Sequence, residues 1–250
     1  MSLLIRIYLA FFAYFLIFNS PQAWGQVFLD LESGLVFSGY NNVRVPNKTG
    51  TTFSLTTDLK TDFNGYFRIR TGYILFKRHV FTLLAAPLRL YGSGVLKKSV
   101  SFNEVVFPEN SLVSARYRFD SYRLTYRYDF YWSKGLQIGA GLTAKLRSAS
   151  ISVKGSGQET EKVDLGFVPL INFRLYWAFA DPFSLLFEFD ALVGPQGRAE
   201  DVSLAFQYAP AEVIHFRVGY RFVEGGANVG SVYNFTMIHY LAFGAFIRFW

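Results

Sequence analysis

Apolar residues in this chain recur at every second position over long stretches, with almost no long apolar run beside them, and this constrains the fold most. A period of 2 puts alternate side chains on opposite faces of a β-strand, whereas a helix would need a period of 3.6. The clearest stretch is 136–147, where Leu136, Ile138, Ala140, Leu142, Ala144 and Leu146 alternate with Gln137, Gly139, Gly141, Thr143, Lys145 and Arg147. Near the start, Leu29, Leu31, Leu35 and Phe37 oppose Asp30, Glu32, Gly34 and Ser38, and Phe67, Ile69, Tyr73 and Leu75 oppose Arg68, Arg70 and Gly72. Further on, Leu165, Phe167, Ile171, Phe173, Leu175 and Trp177 oppose Asp164, Asn172 and Arg174. Phe183, Leu185, Phe187 and Phe189 oppose Ser184, Glu188 and Asp190; Ile214, Phe216, Val218, Tyr220 and Phe222 oppose His215, Arg217 and Arg221.

Two segments break the pattern. In residues 80–91, Leu84, Ala86, Leu88 and Leu90 are assigned to the apolar face opposite Arg89, with Pro87 costing a ladder donor. In residues 112–132 the alternation fails near Asp120 and Ser121. Before the break Tyr117 and Phe119 are assigned outward opposite Arg116 and Arg118; after it Tyr122, Leu124, Tyr126 and Tyr128 oppose Arg123 and Arg127. One extra residue, a β-bulge, would restore a single charged inner face.

The connections alternate in length. Short ones fall at 77–79, 129–135, 180–182 and 209–212, and longer or more polar ones at 41–62, 92–111, 154–163, 195–201 and 224–231. The pattern predicts an all-β, up-and-down antiparallel transmembrane β-barrel of about ten strands, with short periplasmic turns, longer extracellular loops and both termini in the periplasm.

Composition settles which face meets lipid. The chain is 51% hydrophobic and 19% aromatic but only 17% charged, too apolar a balance for an ordinary soluble domain. The apolar rows are rich in Phe, Leu and Tyr, whereas the opposite face carries arginines that no closed apolar core would bury unpaired. Hydrocarbon therefore belongs on the Phe and Leu rows, with Tyr40, Tyr66, Tyr128, Trp132, Trp177 and Tyr220 suited to interfacial girdles. The net charge of +7 is spread along the chain instead of forming one basic face, which argues against nucleic acid as a partner. With no cysteine there is no disulfide framework, thiolate metal site or cysteine nucleophile, and no cofactor or metal is expected.

The N-terminus reads as a signal peptide over residues 1–25. Arg6 precedes the apolar run 7–18, then come Asn19, Ser20, Pro21 and the small residues Ala23 and Gly25, with cleavage expected before Gln26. No comparable apolar run follows, so residues 26–250 span as strands of one barrel domain.

The chain ends Gly244, Ala245, Phe246, Ile247, Arg248, Phe249, Trp250. This resembles the terminal-strand signal of small bacterial outer-membrane β-barrel proteins. Gly244, Ile247 and Phe249 match it, Trp250 is one residue extra, and Ala242 stands where a polar residue is usual. The resemblance implies a Gram-negative outer membrane, with its lipid, lipopolysaccharide and barrel-assembly machinery as partners.

For function, the inner face offers a lumen charge network of Asp30, Glu32, Arg68, Arg70, Arg116, Arg118, Arg123, Arg127, Lys145, Arg147, Arg174, Glu188, Asp190, His215, Arg217 and Arg221. Its carboxylates read better as counter-ions to the arginines than as an acid–base pair. Arg198, Glu200, Asp201 and Glu224 are assigned to the extracellular rim. The leading expectation is a non-enzymatic barrel, either structural or a porin-like conduit or binding site for a small anionic solute. Lipid A deacylases would need a serine and a histidine together on one strand, and omptin proteases, which resemble this chain in expected strand number, an Asp–His couple at the rim. Neither is evident. Two alternatives stay open: an enzyme modifying lipid A or phospholipid, using His215 with Glu188 or Asp190, and an adhesin using loops 41–62 and 92–111.

Overall fold

The computed structural model describes residues 25–195 and 197–249. The expected leader, apart from Gly25, and Trp250 lie outside the described residues.

Ten strands cross the barrel in chain order: β1 (Gly25–Arg44), β2 (Asn64–Leu75), β3 (His79–Ala86, continued by Arg89–Val95), β4 (Leu112–Trp132) and β5 (Leu136–Gly155), followed by β6 (Gln158–Ala180), β7 (Phe183–Gly194), β8 (Gly197–Ala211), β9 (Ile214–Val229) and β10 (Val232–Phe249). Each pairs antiparallel with the next, and β10 returns to β1 from Val27–Phe249 up to Arg44–Tyr233. Closure leaves no open edge through the hydrocarbon, the condition for a sheet to span a bilayer. At the periplasmic end Phe76 and Lys77 both take positive φ within the three-residue connection 76–78, and Arg78 N–H donates to Leu75 O across this tight turn. At the other end the stretches 154–163, 195–201 and 224–231, expected as loops, are largely strand, because polar alternation continues the ladders beyond the lipid. Ser156 and Gly157, also at positive φ, form the tight turn of β5–β6.

The faces of β3 and upper β4 are the reverse of those expected. Pairings Arg147–Ser121 and Ser148–Asp120 follow one another without a shift, as do Ala86–Ser121 and Arg89–Arg118 on the opposite side. There is no bulge at Asp120–Ser121, so Val113, Ala115 and Tyr117 face inward and are buried, whereas Arg116 and Arg118 face outward. On β3, likewise, Leu84, Ala86, Leu88 and Leu90 are buried inside, and Phe81 and Leu83 face lipid. The expected bulge presumed an inner face charged along its whole length. In fact that face turns apolar toward the extracellular end, just where the outer face leaves lipid and turns polar. The real irregularity of β4 lies at its periplasmic end, opposite Gly139.

The apolar inner surface exists because the two long extracellular connections fold down onto it. Val45, Phe53, Leu55, Leu59, Leu96, Val100, Phe102 and Phe107 pack against Val36, Leu90, Val113, Tyr117, Ile151, Val153, Ile238 and Tyr240. Tyr66, expected in a girdle, is buried in this cluster, whereas Trp132 and Trp177 are exposed near the periplasmic turns.

Candidate functional site

Below the apolar cap, the inward charges of seven strands meet across the bore. Arg123 of β4 binds Asp190 of β7 at 2.7 Å and Asp201 of β8 at 2.6 Å. Asp201 also takes Arg221 at 2.5 Å and Arg68 at 3.2 Å, and both arginines reach Glu32. Glu32 continues to Arg217, Arg217 to Asp30, Asp30 to Arg70, and Arg70 to Glu188, which also holds Arg174 at 3.7 Å. The pairs form one connected belt of six arginines and five carboxylates. Burying so many charges is tolerable only because each has opposite charge within 4 Å. Arg127 pairs separately with Asp129 toward the periplasm, and Arg147 with Asp164 toward the outside.

The sequence-derived sites are only partly gathered here. Arg116 and Arg118 leave the lumen; Arg116 meets Glu161 at 3.4 Å on the outer surface. Asp201, assigned to the rim, is a central member of the belt because alternation on β8 turns it inward beside Ser203. His215 faces inward but lies against Phe246, while Glu188 and Asp190 are held by arginines, so no His–carboxylate couple forms. Arg198 and Glu224 do meet at the rim, with Nε–carboxylate distances of 2.7 and 2.9 Å, and Tyr40 donates to the same carboxylate. Burial pushes the Glu224 carboxyl up, but the bonds from Arg198 and Tyr40 outweigh it and hold the group below its usual range. Glu200 stands opposite Glu224 without an ion pair. Asp129 and Asp164, which sequence reasoning left out of the network, carry inward pairs of their own.

Lys145 differs from its neighbours. Every arginine of the belt has a carboxylate within 4 Å, but the Lys145 ammonium, across the ladder from Arg123, has none among the described residues. The residue is only 4% exposed and its nitrogen lies 5.0 Å from the centre of the Phe119 ring. It faces a cavity of about 560 Å³ between the belt and the extracellular end, lined by Phe119, Arg147, Lys162, Val168, Leu192 and Val223 among others. That volume lies within the range of about 300–1,000 Å³ typical of small-molecule sites.

The wall beside this cavity is incomplete. β5 and β6 pair along their whole length to Gly155–Gln158, but the β6–β7 ladder stops at Ile171–Ala191. Among the described residues β6 has no strand partner on its second side above that pair, and the β7–β8 hairpin ends at Gly194–Gly197. Pro169, which has no amide to give, stands just past the last pair, a position tolerated only where a ladder ends. On the outside Leu165 and Phe167 are 68% and 69% exposed. The closed ring, its outward apolar rows and its paired charges inside are the arrangement of a bilayer-spanning sheet.

The fold is that of an outer-membrane β-barrel. The outer membrane protease OmpT from Escherichia coli has a similar fold, with a TM-score of 0.64 at 8% identity over 92% of this chain and all of that one. The translocator domain of the autotransporter NalP from Neisseria meningitidis aligns at 0.46 and 12% identity, covering 98% of this chain and 95% of that chain. Neisserial surface protein A aligns at 0.38 and 12% identity, covering 89% and 97%. No protein-family model and no curated protein matches the sequence. At such identities the likeness bears on the fold alone. Among the described residues of this barrel, no histidine side chain bonds a carboxylate: His79 meets Tyr126 and His239 meets Tyr220.

Proposed function

We propose that this barrel is a non-conducting binding protein of the outer membrane, with a site for a small anionic ligand in the cavity above the charge belt. Lys145 carries this reading. A buried ammonium without a counter-ion is costly, and the cavity it faces is where an anion would relieve that cost. The belt argues against a conduit, since its ion pairs link β2 to β7 and β8, and β4 to β7 and β8, across the bore. An enzyme built on His215 has less support, because the carboxylates proposed as its partners are engaged by arginines.

Two measurements test the reading. In planar bilayers the protein should give no steady conductance, and an anion-selective current would restore the conduit. Butyl phosphate should bind the wild-type barrel, and Lys145→Gln should weaken it by about tenfold to a hundredfold, the worth of one charge-assisted hydrogen bond. Equal affinity in the two proteins would remove Lys145 from the site.

A further inference from the structure

The anion site opens sideways. The outward rows change from apolar to charged between Val202 and Arg198 on β8, and between Phe222 and Glu224 on β9. The end of the β7–β8 hairpin therefore lies at the outer surface of the hydrocarbon, and the gap beside it faces the headgroup region of the outer leaflet. A soluble anion arriving from above has no use for such a gap. Nor has it a use for Leu165 and Phe167, which border the gap on the β6 side and face lipid, while Lys145 and Arg147 stand within. Apolar doorway and cationic interior follow each other in the order of an amphiphile's tail and head. The unpaired edge of β6 also bears on the position of the opening, because backbone groups without partners are not tolerated against hydrocarbon but are satisfied among water and headgroups.

From this geometry, and resting on the anion site proposed above, we propose that the ligand is an outer-leaflet amphiphile with a phosphate headgroup and an acyl chain. It is loaded through the gap between β6 and the β7–β8 hairpin, its phosphate on Lys145 and its chain across Phe167 and Leu192. No covalent step is involved. A second copy pairing along the free edge of β6 is the competing occupant, and Pro169 opposes it because an added strand would lack that donor.

The test uses the whole barrel in phosphatidylcholine nanodiscs, with butyl phosphate and dodecyl phosphate as probes read by phosphorus NMR. Continuing the Ile171–Ala191 register by three residues would bring Val168 opposite Gly194. The chain has no native cysteine, so Val168→Cys with Gly194→Cys gives a single staple across the gap. One buried methylene is worth about fourfold in affinity, so dodecyl phosphate should bind at least about tenfold more tightly than butyl phosphate. Compared with the same variant reduced, in which any effect of the two substitutions themselves is already present, the oxidised staple should lose dodecyl phosphate binding but hold butyl phosphate as tightly. Gly194→Trp, at a position with no atoms within 4 Å of an added Cβ, should have the same effect on the longer probe without a disulfide. If both probes bind equally and neither variant distinguishes them, side loading is overturned while the anion site stands. If neither probe binds the wild type, the anion site itself fails. Cross-linked dimers joined along residues 158–170 would also overturn the proposal, in favour of strand pairing.

Discussion

Lys145 and Asp201 are both buried inward charges, and the different roles proposed for them follow from their partners. Asp201 accepts from Arg68, Arg123 and Arg221, so removing its charge takes one of two carboxylate partners from three buried guanidinium groups at once. Breaking a buried pair from one side costs about 3–5 kcal/mol. Asp201→Asn should therefore lose at least that much in urea unfolding from phospholipid vesicles. A loss below about 1 kcal/mol, the scale of an exposed pair, would mean that water reaches the belt. Lys145 has no such dependants, which is why its substitution is expected to act on binding. Neither role was legible from residue type: both are charges at alternating positions, and their difference comes from partners supplied by strands far away in the sequence.

At the scale of the element, β6 is the informative strand. It is 23 residues long beside a β7 of 12, and the mismatch opens the wall. Along residues 158–170 each strand residue directs its backbone groups either to β5 or to the side where β7 is missing. Hydrogen exchange followed by NMR should thus give protection at every other amide in this stretch, with Pro169 contributing none, and continuous protection from Ile171 toward the periplasm. Uniform protection along the whole strand would mean that the gap is closed in the membrane. The sequence carried one sign of the gap, a proline inside an otherwise regular strand. β4 teaches the converse. Its break in alternation looked like an inserted residue, but the backbone runs on unchanged and the polarity of both its surroundings reverses at that height. Local pattern cannot distinguish these cases, because a one-residue slip and a swap of environments exchange the faces in the same way.

For the molecule as a whole, the decisive assignment is hydrocarbon on the Phe and Leu rows. Leu142, outward near the middle of the band on β5, is 68% exposed. Leu142→Arg should destabilise the barrel in vesicles by about 2–4 kcal/mol, as a charge on the lipid face does near the midplane. Leu112→Arg, beyond the lipid at the extracellular end of β4, should stay within about 0.5 kcal/mol. Equal effects at the two positions would refute the placement of the bilayer. The alternation of side chains and the rhythm of turns, together with composition, were enough to specify a closed sheet of about ten strands and, except on β3 and upper β4, which face meets the membrane. The reason is that a barrel's inside and outside are set by strand period and bilayer polarity, both local properties. Only the tertiary structure decided that the loops fold inward as a cap, that Asp201 joins the belt, that Lys145 lacks a carboxylate and that β6 outruns β7. Those facts depend on which residues meet across the bore and along each seam, and such meetings are fixed by register and closure, not by the pattern along any one strand.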